Sequence, residues 1–399
     1  MKILVLNAGS SSIKFQVFDM NNNSSLAIGL IEEIGNEHSQ AKIKVLKTNR
    51  LTEKITYIKD HHDAVEIINA MLKKAGVLNS MNEVDGIGHR VVHGGKTFKN
   101  SVIIDDEAIR LIKEVIPLAP LHNPGALEGI KSALEEAKGV LNVAVFDTVF
   151  HQTMDKEAYL YAIPYEYYEK YDIRKYGFHG TSHKYASELA ANFMGVNIDN
   201  FNAITLHIGN GASATAIKNG KSIDTSMGLS PLEGLMMGTR SGDIDPTVLS
   251  YIATQDGKTL DEIDDILNKK SGLLGIAGTS DVRKIKEGIK NNSERCLLAY
   301  KMYIRRIVKY IGAYYALIGK LDAIIFTAGV GENSSLLRND VCNAISHFGI
   351  ELDNDLNHLQ SNKTRYITKQ NSPIKALVVP TNEELAIAIE TKELLKRSK

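Results

Sequence analysis

The chain has 399 residues, 43% of them apolar and 24% charged, an ordinary globular composition with material for about two domains. Its 47 Lys and Arg balance 47 Asp and Glu, so nothing favours a nucleic acid or an anionic membrane surface as the main partner. The only two cysteines, Cys296 and Cys342, are too few for a disulfide framework or a four-cysteine metal site and fit a reducing compartment.

In chain order, a short apolar run (Lys2 to Leu6) predicts a strand and then turns polar, unlike a signal peptide. No stretch reaches the ~18 consecutive apolar residues of a membrane span. The expected location is the cytoplasm. Residues 7–12 read NAGSSS, a small-residue turn. Ile13 to Phe18 then alternates, with Ile13, Phe15 and Val17 on one face and Lys14 and Gln16 on the other, which predicts a second strand. Helical spacing follows from Ala64 to Lys74, stopping at Gly76. A second helix is predicted from Pro124 to Lys138, with Asn123 as its N-cap and Gly139 as its stop. His61-His62, ahead of the first helix, reads as a solvated loop pair. Thr181-Ser182 can cap a helix to Met194.

The opening grammar returns near the middle. Ala203 to Ile208 and Ala212 to Ile217 are predicted strands around the turn Gly209-Asn210-Gly211, so that Gly9 aligns with Gly209. A repeat with a period near half the chain points to a duplicated α/β domain. A third strand, Ala323 to Thr327, leads into a third glycine turn, AGVGENSS, and then a helix. The segment Cys296 to Ile318 predicts a long helix, apolar on most faces, buried at a domain or subunit contact. Asn382 to Arg397 predicts a last helix with a basic end.

Three Gly/Ser/Asn turns at strand ends point to a polyphosphate ligand, because small side chains let backbone N–H groups approach phosphate oxygens. Two such hairpins, one from each half, would clamp a nucleotide in a central cleft. Ser10 and Ser12 add donors and Lys14 a charge. The rival phosphate motifs are missing. Gly220-Lys221-Ser222 imitates the end of a P-loop, but Thr215 stands at its first glycine position and the segment leaves a strand. No G-x-G-x-x-G occurs either. His89/His93 and His179/His183 have i, i+4 spacing, yet Arg90 occupies the position where H-E-x-x-H needs Glu, and a cation beside the ligands opposes a zinc site.

Five more segments carry His, Arg or Asp, four of them beside glycine: GHRVVHGG (88–95), APLHNPGAL (119–127), FDTVFH (146–151), YGFHGTSH (176–183) and MGTRSGDIDP (237–246). Spread through both halves, they look like loops converging on one site. With NAGSSSIKF, HIGNGAS, GVGENS and PTNEEL in the same order, they resemble the acetate kinase family over residues 3 to about 386.

That resemblance implies two duplicated ribonuclease-H-like (actin-like ATPase) domains with mixed sheets and ATP in the cleft between them. The N-terminal domain would comprise residues 1–148 plus a returning helix from 384–399. The C-terminal domain, 149–383, would bind nucleotide and form a homodimer. The implied reaction is reversible attack of acetate on the γ-phosphorus of ATP, giving acetyl phosphate and ADP. The implied metal is Mg2+, with Mn2+ as a substitute, and neither nucleic acid nor membrane is a partner. Acetate is already ionised at neutral pH, so the reaction needs charge neutralisation more than a base.

By resemblance, Arg90 and Arg240 flank the phosphoryl group and the carboxylate, with His179 and His122 as donors and Asp147 orienting Arg90 or the metal's waters. Asn7 and Glu383 face the metal, with Glu384 the neighbour that sequence barely separates from Glu383. Ser10, Ser12 and Lys14 hold phosphates from one domain, and His207, Ile208, Gly209, Asn210 and Gly211 hold them from the other. Asp281, Val282 and Arg283, with Gly329, Val330, Gly331, Glu332 and Asn333, hold ribose and adenine. Val92, Leu121, Phe178 and Pro231 form the acetate-methyl pocket. The competing readings are a propionate or butyrate kinase, an actin-like ATPase without a small-molecule acceptor, and a sugar kinase using Asp147 as base.

Overall fold

The computed structural model describes residues 1–398. The chain divides into two compact units, residues 1–149 together with those from 382 onward, and residues 150–381. Lys399, part of the predicted returning segment, lies outside the described residues.

The first unit carries an eight-stranded sheet: β1 Lys2–Ala8, β2 Ile13–Asp19, β3 Ser24–Glu32, β4 Gln40–Val45, β5 Arg50–Ile55, β6 Gly86–Val91, β7 Val102–Ile103 and β8 Asn142–Phe146. Its spatial order is β5-β4-β3-β2-β1-β6-β8-β7. β1 runs antiparallel to β2 and parallel to β6, and β6 runs parallel to β8. β1 is buried on both faces. Leu4 and Leu6 join a core with Phe15, Val65, Ile68 and Leu72, under the helices His61–Lys74 and Asn123–Glu136. Ile3 and Val5 face the other way, toward Phe18, Val143, Val145, Ile387 and Ala388, so the last helix, Glu383–Arg397, covers the second face. Gly86 and Gly88 of β6 make room for it: a Cβ on Gly88 would stand 2.5 Å from Thr391 Oγ1 and 2.7 Å from Ile387 Cγ2.

The second unit carries a six-stranded sheet: β9 Ala203–Ile208, β10 Ala212–Lys218, β11 Lys221–Thr225, β12 Ala323–Thr327, β13 Arg365–Tyr366 and β14 Lys375–Val378, in the order β11-β10-β9-β12-β14-β13. The run β3-β2-β1-β6-β8 of the first sheet and β11-β10-β9-β12-β14 of the second have the same order and the same strand senses. The duplication read from Gly9 over Gly209 is therefore real. Each glycine sits in the turn joining the first two strands, Gly9 N bonding Ser12 O at 2.8 Å and Gly209 N bonding Gly211 O at 3.0 Å.

Several local expectations need correction. Asn123 does not cap its helix. His122 is the N-cap residue, and the fully buried Asn123 amide instead accepts from His93 N and donates to His93 O, at 3.1 and 2.9 Å. Thr181-Ser182 lie inside the helix Gly180–Met194, whose N-cap is His179. His61 and His62 open the helix His61–Lys74, capped by Asp60. The segment AGVGENSS is no open turn, since Ala328–Asn333 forms a short helix. The long helix, Glu294–Ile318, buries Tyr303, Ile307, Ile311, Tyr314 and Ile318 and packs on β9 and β10 of its own unit.

Candidate functional site

In the first unit, β1 delivers Asn7 at its C-terminal end and the loop 9–12 follows. Two contacts hold that loop. His61 Nε2 lies 2.7 Å from Gly9 O, and the helix Asn123–Glu136 brings Gly125 so close that a Cβ there would stand 2.4 Å from the same oxygen. His61 was missed by sequence reasoning, for nothing in a His-His pair announces a bond to a loop fifty residues away. Ser10 and Lys14 are exposed and Ser12 half-buried, free to meet a ligand.

Arg90 stands on β6, in register with Val145 of β8, and Asp147 follows the end of β8. Their side chains form a two-point ion pair, Arg90 Nε to Asp147 Oδ1 and Oδ2 at 3.2 and 3.1 Å and Nη2 to Oδ2 at 2.6 Å. Burial opposes the Arg90 charge, but Asp147 and then Glu383 more than offset it and push its pKa up. Glu383 opens the last helix with Oε2 3.9 Å from Arg90 Nε. Glu384 also raises the Arg90 pKa, more weakly than Glu383, and lines a hollow with Lys14 and Lys42. Of the methyl-pocket residues, Val92 is half-buried and Leu121 is exposed, next to His122 at the head of its helix.

The second unit supplies a different set. His207 is the next-to-last residue of β9, the turn 209–211 follows, and His179 lies beside them in a left-handed backbone conformation, φ +55°. The His179 and His207 rings stack with centroids 4.0 Å apart. Gly211 is pressed against the catalytic candidates: a Cβ there would lie 3.4 Å from Arg240 Nη1 and 3.6 Å from His179 Nε2. Arg240 bonds only uncharged partners, Pro231 O at 3.3 Å and Met237 Sδ at 4.0 Å, and has no carboxylate partner among the described residues. Burial lowers its pKa. Phe178 is buried and Pro231 half-buried.

A cavity of about 500 Å³ opens nearby, lined by Gly209, Asn210, Asp281, Val282, Arg283, Gly329, Val330 and Asn333. These predicted nucleotide residues therefore meet at one place. Asp281 caps the helix Val282–Lys290 and is clamped by Arg283 at 2.8 and 3.0 Å, which holds its carboxyl down at about 2. Five others, His207, Ile208, Gly211, Gly331 and Glu332, are not part of its lining. Ile208 is fully buried, Gly331 packs on Ile208 and Leu206, and Glu332 accepts from Thr381 N at 2.9 Å. Gly238 and Lys286 line the cavity although neither was assigned to the nucleotide. Gly238 belongs to the singled-out MGTRSGDIDP, whereas Lys286, on an amphipathic helix, reads as a solvated face.

Asn7, Glu383 and Glu384 offer hard oxygen donors, one amide and two carboxylates. That suits a magnesium ion, which keeps several waters and takes few protein ligands. Glycine turns at strand ends in two actin-like ATPase domains, with an arginine presented in each unit, define an ATP-dependent phosphotransferase.

The finer assignment comes from similarity to known proteins. The chain belongs to the acetokinase family, whose profile matches residues 2–389. It is 53% identical over 397 residues to the acetate kinase of Campylobacter concisus (99% of each chain), and 50% identical to that of Campylobacter fetus subsp. fetus over the whole of both. Among solved structures it superposes on Porphyromonas gingivalis acetate kinase with TM-score 0.95 and 46% identity, covering 99% of each chain. It matches a propionate kinase from Francisella tularensis with TM-score 0.92 and 42% identity, covering 98% of this chain and 99% of that one.

Proposed function

We propose that this chain transfers the γ-phosphoryl group of ATP reversibly to acetate, and that Arg90 and Arg240 supply the positive charge for the transfer. The observation that carries this reading is the contrast between the two arginines. Arg90 is locked by Asp147, so its remaining N–H donors are aimed and its charge is permanent. Arg240 is held by a carbonyl and a thioether, so its charge awaits an anionic partner. An anion attacking a triphosphate needs such charges in place beforehand.

In this reading Asn210 and the turn glycines hold phosphates, Asp281 to Arg283 with Gly329, Val330 and Asn333 hold the nucleoside, and Ser10, Ser12 and Lys14 add donors from the first unit. His179, with His122, donates to the phosphoryl oxygens, and Asp147 orients Arg90. Val92, Leu121, Phe178 and Pro231 take the methyl group. Asn7 and Glu383 would hold magnesium; Glu383 is favoured over Glu384 because it shares Arg90 with Asp147. When bound, the metal supplies charge neutralisation to the phosphates. A homodimer is also proposed, supported by Leu297, Leu298 and Met302 exposed on the helix Glu294–Ile318. A reducing, cytoplasmic setting is supported by the two free cysteines. No described helix is long and apolar enough to cross a membrane.

The test is ADP formation from ATP with acetate, propionate or butyrate, with and without magnesium, and hydroxylamine trapping of the acyl phosphate. Acetate is expected to give the highest kcat/KM. Preference for propionate would favour the reading raised by the Francisella relative. Substantial ATP hydrolysis without any acid would favour an ATPase.

A further inference from the structure

The second unit buries a group of histidines, of which His183 contacts neither cavity nor solvent. Its surroundings form an ordered series. Thr205 Oγ1 lies 2.6 Å from His183 Nδ1, His183 Nε2 lies 2.7 Å from Ser213 Oγ, and Ser213 Oγ lies 2.8 Å from His179 Nδ1. Thr205, His183 and Ser213 are each fully buried.

Burial, reinforced by His151 and His207, pushes the His183 pKa far down, so its ring carries one proton. Each bond then has a donor and an acceptor, and because the Ser213 oxygen can accept twice the series has three possible arrangements. If His183 Nε2–H and His179 Nδ1–H both donated to Ser213, the buried Ser213 proton would have no acceptor, the two rings being its hydrogen-bond partners among the described residues. If His179 Nδ1 donated to Ser213 and Ser213 in turn to His183 Nε2, His183 Nδ1–H would donate to Thr205. The Thr205 hydroxyl proton would then be buried with no acceptor, since His183 is its sole hydrogen-bond partner among the described residues. A buried unsatisfied donor costs about 1–3 kcal/mol. In the opposite sense every proton has an acceptor. Thr205 donates to His183 Nδ1, His183 Nε2–H donates to Ser213, and Ser213 donates to His179 Nδ1.

We propose that Thr205, His183 and Ser213 form a one-way hydrogen-bond chain that fixes His179 as the neutral tautomer with its proton on Nε2. That nitrogen is the one near Gly211 and Arg240, so the chain presents a donor on the side where those groups stand. The three are positioning residues: a protonated or Nδ1–H imidazole at 179 would either reverse every bond behind it or leave the Ser213 proton buried without an acceptor. The functional weight of this tautomer rests on His179 acting as the phosphoryl donor proposed above.

The direct test is ¹⁵N NMR of histidine-labelled full-length protein at neutral pH, with the His179 signals assigned through their loss in His179→Asn. An Nε2–H pattern for both His179 and His183 is expected, and an Nδ1–H pattern at either overturns the chain. As a second arm, Thr205→Val keeps shape but removes the terminal donor. It is expected to lower kcat about ten- to a hundredfold, with KM for ATP and acetate changed less than about twofold, while Thr205→Ser restores turnover. Wild-type kcat in Thr205→Val overturns the proposal. If His179→Ala turned over normally, the donor role of His179 would fail, whereas the tautomers seen by NMR would still decide the chain.

Discussion

Arg90 and Arg240 carry the same charge in opposite electrostatic settings, and substitutions should separate them. Arg240→Ala removes no ion pair, so the thermal midpoint should stay near wild type while kcat falls several hundredfold or more, of the order of 4 kcal/mol in the barrier. Arg90→Ala should lose as much activity but also stability, because it removes the ion pair that compensates the nearly buried Asp147 carboxylate. Steady-state kinetics with calorimetry on both variants checks the pair, and near wild-type turnover in either would remove the charge-neutralisation account. Gly211→Ala is a finer probe. Its methyl meets no backbone, lying 3.4 Å from Arg240 Nη1, so folding should survive. It fills the space in front of Arg240 and His179, and turnover should drop at least about tenfold, read by the same assay.

At the scale of elements, the strands and long helices were legible because their burial follows periods of two and 3.6 residues. Ile13, Phe15 and Val17 are buried as the alternation required, and Lys14 is exposed. Gln16, read as facing the same side as Lys14, is nonetheless buried. What could not be read were side chains that leave their own element. Asn123 looks like a helix cap by position, but its amide is spent on His93, thirty residues earlier. The same amide explains an expected stability effect. Asn123→Ala removes both hydrogen bonds to the His93 backbone and should cost about 1–3 kcal/mol in denaturant unfolding. The site was legible wherever glycine-rich motifs announced backbone contact with phosphate, as at Gly209 and Gly329. It was not legible at His61, Lys286 and the hydroxyls of Thr205 and Ser213, where meaning comes only from the partner.

For the molecule as a whole, buried neutral histidines set the acid limit of stability. Burial pushes His89 and His151 down to about 4, against 6.5 in an open chain. Unfolded protein therefore binds protons that folded protein refuses. Stability should be full above about pH 6.5 and fall as pH drops toward about 4, by roughly 3 kcal/mol for each of the two. Urea unfolding at pH 7 and pH 5 checks this, and equal stabilities at both would refute it. His89→Gln, which can still meet the Asn142 amide oxygen that His89 Nε2 contacts at 2.7 Å, should flatten the slope.

The helix that covers Ile3 and Val5 is made only after residues 150–381. Residues 150–381 form a continuous stretch, whereas the first unit must wait through the synthesis of all of them before its second face is closed. A ribosome making this chain thus displays a half-dressed sheet, with Ile3, Val5, Phe18 and Met20 bare, for most of the elongation time. Stalled nascent chains ending near residue 380 should expose that greasy strip to trigger-type chaperones and to proteases, and release of the final helix should hide it.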